Sequence, residues 1–523
     1  MSNTKIFRSD LFKHIDGIAL IAPLACIFNK NNNLLNNIKS LKLFKINRND
    51  LKINLINGDY LNVTLRLFES QGWIKRELTD NNSIKIKSTK DGLEIFKNSD
   101  SYNKFFKFYS FLTKLNFNYT ESYKKLIELL NQYEQAEKTI SNKLILKHFE
   151  GLLLGTVLVS LSMGNHIKIN LNNQLTLNNT GTNNKNFIIK LFEKFDFLKN
   201  NILTEKGLFF INRSAAYGVT VSYMPLFNKM ETLLFQNTSN ILNRDKNGNE
   251  LHVNRKMNVW GSGGAHKLYF KKIDEIIIKI FNGPIDKQPQ GIADMGCGDG
   301  TLLIHLYKLI KEKTIRGKNL KSHPLKIVGA DFNEEALEVT KNNLKQENIE
   351  HVLVKADIGN PDYFNNELIK IHQTKLANLL SVRSFLDHNR IFEMPNLNNF
   401  KLNEIKTNSS AAFCCSNNNQ IFEPIIFKFS LIEHFLKWKP YISRHGLIIL
   451  ELHTINPQLC QQNIGKTLAT AYDATHGYSN QYIIEYEDFI ESAKISGLKY
   501  NKNFEFNFPN KELTTVSINL FYV

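Results

Sequence analysis

The stretch Gly291-Ile-Ala-Asp-Met-Gly-Cys-Gly-Asp-Gly300 constrains the fold of this chain more than any other. An apolar strand runs into Asp294, Gly296, Gly298 and Gly300 follow at GxGxG spacing, and an apolar helix opens at Thr301. A chain that turns sharply from strand to helix with its backbone against a ligand calls for glycine. The helix start then offers N–H groups to an anionic group. Two further strands end in a carboxylate, Ile327-Val-Gly-Ala-Asp331 and Ala356-Asp357-Ile358. Asp331 is placed to accept two ribose hydroxyls, but the basic loop 311–326 puts it later than the spacing of about 20 residues in nicotinamide folds. The nicotinamide fingerprint is GxGxxG, which this loop does not match.

From residue 255 onward strands and helices alternate. Strands are expected at 291–295, 326–331, 351–356, 376–382, 446–452, about 500–506 and 514–523, with helices at 301–311 and 334–346. This predicts a doubly wound, Rossmann-like α/β sheet. The last two strands join through a turn near Phe508-Pro509-Asn510, which would make one of them antiparallel. Ligands of open α/β sheets sit beyond the C-terminal ends of the strands, where Asp294, Asp331 and Asp357 fall.

The first half reads differently. A helix at 61–71, a strand from Trp73-Ile74, a turn at Asp80-Asn81-Asn82, a strand at 84–87 and a helix opened by Thr89-Lys90-Asp91-Gly92 follow the winged-helix order. A helix at 187–195, a short strand pair at 198–203 and Thr204-Glu205-Lys206-Gly207 repeat it, with Leu67-Phe68-Glu69 matching Leu191-Phe192-Glu193. The Asn/Thr-rich segment 170–184 reads as an exposed loop. The expected division is a winged-helix-like module over 1–125, a second winged-helix-like or helical lid module over 126–254, and the catalytic fold over 255–523. The N-terminal region is mostly helical.

Composition narrows the function classes. A chain of 523 residues with 42% hydrophobic and 11% aromatic content is neither disordered nor collagen-like. Its five cysteines provide no disulfide framework and no zinc-ligand spacing. Lys5, Arg8, Lys13 and Asp16 interrupt any apolar run of a signal peptide, and the stretch 18–28 is too short to span a membrane. A cytoplasmic protein with no membrane partner is the expectation. The net charge of +17 admits attraction to nucleic acid or to an acidic partner. The Lys-, Asn- and Ile-rich composition equally fits an AT-rich coding sequence, and no dense basic block occurs.

The glycine loop and its carboxylates resemble the class I S-adenosylmethionine-dependent methyltransferases, over about 255–523. The resemblance implies a seven-stranded sheet in which Asp294, Gly296, Gly298 and Gly300 hold the methionine part, Asp331 the ribose and Asp357 the adenine amine. The acceptor is addressed by other segments. No Asn-Pro-Pro-Tyr-type tetrapeptide follows the fourth strand, which argues against amino-group methylases of adenine and glutamine. The segments VWGSGGAHKLYFKKID (259–274), SVRSFLDHNR (381–390) and AYDATHGYSNQY (471–482) resemble methyltransferases associated with polyketide synthases, of the apratoxin loading-module type. That resemblance implies methylation of the carbon alpha to a thioester on an acyl carrier protein, in some members with loss of a carboxylate, and a helical lid before the cofactor fold.

His388, His453 and His476 are expected in loops at the sheet's C-terminal edge, as the acid/base and enolate-stabilising group. Some relatives bind one metal ion through His and Gln, and His453, His476 and Gln481 have compatible types. Gln481 alternatively caps a helix beginning near Tyr482. The loop Gly261-Ser-Gly-Gly-Ala-His266 either closes over the methionine end of the cofactor or serves as a hinge. Two rivals remain. One is a small-molecule O-methyltransferase whose winged helix mediates homodimerisation. The other is a DNA-binding regulator, but helix 61–71 carries Arg66 against Glu69, and 186–195 carries Lys190 and Lys194 against Glu193, too few cations to read a major groove. A nucleic-acid partner is therefore not expected.

Overall fold

Apolar runs that end in glycine or aspartate build the sheet expected for the second half. In the computed structural model, which describes residues 3–28, 33–79, 83–117, 122–245, 250–401, 403–415 and 420–523, the chain forms two compact units. The first comprises Met1–Gly264, Ala412–Phe422 and Asn456–Asn480; the second Ala265–Ala411, Glu423–Ile455 and Gln481–Val523.

The second unit holds seven strands: β1 (Gly291–Met295), β2 (Lys326–Asp331), β3 (Val352–Lys355), β4 (Leu380–Ser384), β5 (Leu447–Leu452), β6 (Lys499–Phe508) and β7 (Val516–Tyr522). Their order is β3-β2-β1-β4-β5-β7-β6. The first five are parallel, and β7 runs antiparallel to both β5 and β6. Every residue of β1 and β5 is buried, which is why they read as continuous apolar runs and not as an alternation. The fourth strand starts later than expected, because Leu376–Asn378 forms a 3-10 turn. Pairing of Leu380 with Ile292 and of Ser384 with Leu450 fixes its register.

In the first unit the helix Asn3–Ile27 packs along the helix Lys143–Met163. The apolar stretch 18–28 lies largely in the buried half of the former. Among the described residues, Lys143–Met163 is the one helix long and apolar enough to cross a membrane by length and composition. It is not the one the sequence singled out, and 78% of its most apolar window is buried in the protein.

Both patterns show the expected helix, strand, strand, helix order. Gly58–Ser70, Ile74–Thr79, Ser83–Ser88 and Lys90–Lys97 form the first, with Phe44–Ile46 as a third strand against Ser83–Ser88. The expected turn at Asp80-Asn81-Asn82 lies outside the described residues. Thr182–Lys194, the short pair Leu198–Lys199 and Ile202–Leu203, and Glu205–Ile211 form the second. The repeat has a local cause. Thr89 Oγ1 accepts the N–H of Gly92 and Thr204 Oγ1 that of Gly207, each at 3.0 Å. Each of these glycines lies against a backbone carbonyl. A Cβ at Gly92 would sit 2.0 Å from the Trp73 oxygen, and one at Gly207 2.2 Å from that of Phe197. Gly92→Ala is therefore expected to destabilise the first unit by about 1–3 kcal/mol, seen as a lower urea midpoint. An unchanged midpoint would show that the helix start can shift without loss.

Two expected loops are ordered elements. Within 170–184, Leu175–Leu177 pairs with Ile167–Ile169, since Leu175 and Leu177 bury their side chains, and a helix begins at Thr182. Gly261–His266 lies inside the helix Arg255–Phe281. Gly261 serves close approach there, as its Cβ would stand 2.6 Å from the Val219 nitrogen.

Candidate active site

The strands β3, β2 and β1 lie side by side and bring three carboxylates to their C-terminal ends. Asp294 in β1 is 2% exposed, and its Oδ1 has no hydrogen-bond partner among the described residues. Burial, with Asp331 and Asp299 nearby, pushes its carboxyl well above the usual range. Gly296, Gly298 and Gly300 have φ of 76°, 56° and 78°, the left-handed region that favours glycine. The loop is pinned to β2 by the N–H groups of Gly296 and Cys297, which donate to the Ala330 oxygen at 2.7 and 3.0 Å. Thr340 Oγ1 donates to the Gly298 carbonyl at 2.8 Å. Asp331 accepts the N–H groups of Gly298 (3.2 Å) and Asn333 (2.9 Å), and burial raises its carboxyl. Asp357, half-buried just past β3, accepts the Gly359 N–H at 2.6 Å.

These features fit a cofactor that pairs a nucleoside with an amino acid. The unpartnered oxygen of buried Asp294 suits an ammonium donor. The left-handed glycines leave room beside a helix N-terminus, that of Thr301–Lys313. Phe332, 56% exposed directly after Asp331, presents an aromatic ring at the same edge. A large aromatic directly after a strand-closing acid was the signal for it in the sequence.

Past β4 the chain turns through Phe385, whose φ of 54° is rare for a side chain of this size. It then enters the short turn Asp387–Asn389. A Cβ on Gly296 would lie 2.9 Å from the Leu386 side chain, so this turn borders the glycine loop. His388 is 6% exposed and its Nδ1 lies 2.5 Å from Oε1 of Glu451, at the end of β5 and 2% exposed. Glu451 also accepts the backbone N–H groups of His388 (3.1 Å) and Leu452 (2.6 Å). A carboxylate can only accept, so the Nδ1 nitrogen carries the proton and Nε2 is the basic nitrogen of the ring. The His388 carbonyl accepts the Tyr482 N–H at 2.7 Å, anchoring the turn from the other side.

Beneath this turn is a buried ionic cluster that the sequence reading did not single out. Arg383 Nη1 lies 3.3 Å from Asp387 Oδ1, and His434 Nε2 lies 3.1 Å from the same oxygen. Arg383 also stands over the Trp438 ring at 4.6 Å, and Arg390 Nη1 donates to the Asp387 carbonyl at 2.7 Å. Burial alone would raise the Asp387 carboxyl, but Arg383 and the His434 hydrogen bond outweigh it and hold it below the usual range. Burial pushes His434 down to about 4, so it is neutral at neutral pH.

The other expected residues have these surroundings. His453, directly past β5, is fully buried between the edges of Tyr486 and Phe489, with Nε2 2.8 Å from Ser517 Oγ. Burial pushes it down to about 3. His476 lies within the helix Ala469–Gly477, not in a loop, and that helix belongs to the first unit. Its Nδ1 is 2.8 Å from the Tyr472 carbonyl. Gln481 is buried and is not the cap of the next helix: Tyr486–Ile495 starts later, with Glu485 as its N-cap. Among the described residues no three His, Cys, Asp or Glu side chains gather to hold a metal ion.

The seven-stranded sheet with its antiparallel last strand, the glycine loop and the carboxylate-tipped strands define a class I S-adenosylmethionine-dependent methyltransferase. The chain belongs to the AprA MT2-like methyltransferase family, whose profile matches residues 250–519. An AprA winged helix domain matches 150–237 and an AprA N-terminal domain 7–76. A search of curated protein sequences finds no match. Among solved structures, an O-methyltransferase family 2 protein from Planctomyces limnophilus, in complex with apigenin, is 9% identical, with 100% of this chain and 96% of that one covered and a TM-score of 0.39. The mitomycin 7-O-methyltransferase is 8% identical over 66% of this chain and 85% of that one, with a TM-score of 0.38. Likeness at this level says nothing of substrate.

Proposed function

We propose that this methyltransferase acts on the carbon alpha to an acyl thioester carried by an acyl carrier protein, with His388 as general base. The observation that carries the reading is the His388–Glu451 pair at 2.5 Å, on the turn that borders the glycine loop. Asp294, Gly296, Gly298, Gly300, Asp331 and Asp357 are proposed to hold S-adenosylmethionine: Asp294 toward the methionine ammonium, Asp331 toward the ribose hydroxyls, Asp357 toward the adenine amine. When bound, the cofactor supplies an electrophilic methyl group on a sulfonium. His388 Nε2 takes the alpha proton, and the electron pair of that C–H bond moves into the enolate. Glu451 stabilises the imidazolium that forms, since its charge lies against the Nδ1 proton. If the acceptor carries a carboxylate at that carbon, loss of carbon dioxide yields the same enolate and His388 is not needed for proton removal.

Membership of the AprA MT2-like family supports the thioester reading. The same imidazole–carboxylate pair can deprotonate a hydroxyl, so a small-molecule O-methyltransferase is the second reading. The two separate on intact-mass analysis of acyl- and malonyl-loaded carrier proteins after incubation with enzyme and cofactor, with and without a chelator. The expected result is a gain of one methyl mass on the acyl group, and the chelator arm reads whether that gain needs a metal ion. Methylation of phenols with none of any thioester would overturn the reading.

A further inference from the structure

We infer that the outer face of the three-stranded sheet in the first unit is the docking surface for the acidic carrier protein, an assignment that rests on the function proposed above. The sheet consists of Phe44–Ile46, Ser83–Ser88 in the centre and Ile74–Thr79. Its side chains alternate between two faces, with Arg76 on the inner one opposite Ile86. Ile46, Ile74, Ile84 and Ile86 are buried on the inner face. The outer face carries Lys45, Lys75, Lys85 and Lys87 against the single acid Glu77.

The pairing register makes this face costly. Lys45 stands directly opposite Lys85, and Lys75 directly opposite Lys87. Like charges at directly opposed positions destabilise a sheet. Glu77, opposite Lys85, relieves one of them through a 3.0 Å ion pair that is largely exposed. Lysines on edge strands guard against edge-to-edge pairing, and that accounts for Lys45 and Lys75. It does not account for Lys85 and Lys87, which stand on the central strand, where both edges are already paired. A partner rich in carboxylates relieves the repulsion, and its attraction steers the encounter.

The chemistry favours a protein over a nucleic acid. Leu41 and Leu43, 45% and 63% exposed, immediately precede the Phe44–Ile46 strand. Apolar side chains beside cations match a surface of acidic and apolar residues, whereas a phosphate backbone uses the cations alone. A winged helix that reads DNA lays its second helix in the major groove. Here the corresponding helix, Gly58–Ser70, is buried within its own unit, and its one basic side chain, Arg66, is 1% exposed and bound to Asp473 at 3.1 Å.

The test uses the full chain, an acyl-loaded acidic carrier protein, and the same acyl group on free pantetheine. Two variants are compared with the parent: Lys45→Glu/Lys75→Glu/Lys87→Glu, and the neutral Lys45→Gln/Lys75→Gln/Lys87→Gln. Charge reversal is expected to raise KM for the carrier-bound substrate on the order of tenfold or more and to flatten its salt dependence. Methylation of the pantetheine thioester should stay unchanged. The neutral variant should show a smaller rise in KM and melt no lower than the parent, because it removes opposed like charges. An unchanged carrier KM in the charge-reversal variant overturns the assignment. So does duplex DNA that binds the parent, displaces the carrier and loses affinity in the variant. If the parent methylates neither thioester, the functional reading fails on its own. The surface is then judged by direct titration with the carrier: weakened binding on reversal supports it, equal binding overturns it.

Discussion

Replacing His388 with Gln is expected to lower methyl transfer by about 10²–10⁴-fold while cofactor affinity is unchanged. Glutamine is chosen because its amide can still donate to Glu451. Truncation to alanine would instead leave a buried carboxylate without its side-chain donor, and lost stability would obscure lost catalysis. What Gln removes is the basic Nε2, which the proton on Nδ1 leaves as the ring's only acceptor. The cofactor loop should not register the change, since its own contacts run to Ala330, Asp331 and Thr340. Glu451→Gln should fall between parent and His388→Gln: it keeps an acceptor for the ring but gives up the charge opposite the imidazolium. Labelled methyl transfer measures the rate, and titration with cofactor checks binding. A His388→Gln variant that retains the parental kcat would make the pair a structural pin and remove the proposed base.

The contrast between what could and could not be read from the chain follows from the range of the interactions involved. Gly296, Gly298 and Gly300 were legible because left-handed backbone at a strand-to-helix turn is a local demand on residue type. Asp331 and Asp357 were legible because a charged residue closing an apolar strand breaks its pattern. The repeated strand-to-helix turn was visible for the same reason: Thr89 with Gly92, and Thr204 with Gly207, are contacts three residues apart. Glu451 broke the pattern too, as the one acid in an otherwise apolar buried strand, but its meaning depends on His388, 63 residues away. His476 shows the limit most clearly. Its segment, Asn456–Asn480, joins the first unit through Asp473 on Arg66, the Ala471 N–H on Asp16 and Tyr478 on Thr64, each more than 400 residues apart in sequence. No local pattern reports such partners. Gly261 misled for a related reason: a glycine required by a neighbouring helix has the same sequence signature as one required by a flexible loop.

The buried cluster under the His388 turn carries the largest expected stability effect. Asp387→Asn should destabilise the second unit by about 3–5 kcal/mol at neutral pH, because it strips the counter-charge from a guanidinium that is 0% exposed. Arg383 Nη1 also meets His434 Nε2 at 3.0 Å, but its Nε and Nη2 lack hydrogen-bond partners among the described residues, as does Asp387 Oδ2. The pH dependence has a definite sign. Arg383 and His434 depress the Asp387 carboxyl in the folded protein. Its contribution is therefore fully present above the unfolded value of about 4 and fades as the pH falls through the folded one. The gap between parent and Asp387→Asn in urea unfolding should be wide at pH 7 and narrower in strong acid, near the folded value. A gap independent of pH would mean that the asparagine fails through shape and not through charge. Replacing both partners, Asp387→Leu with Arg383→Met, should recover much of the loss, since an apolar pair avoids the desolvation that a lone buried charge incurs. The recovered protein should nonetheless remain a poor methyltransferase. Asp387 adjoins His388, and Arg390 holds its carbonyl at 2.7 Å, so the ionic cluster fixes the turn from which the imidazole meets Glu451. Restored stability with full activity would separate the cluster from catalysis; restored stability without activity would identify it as the device that aims the base.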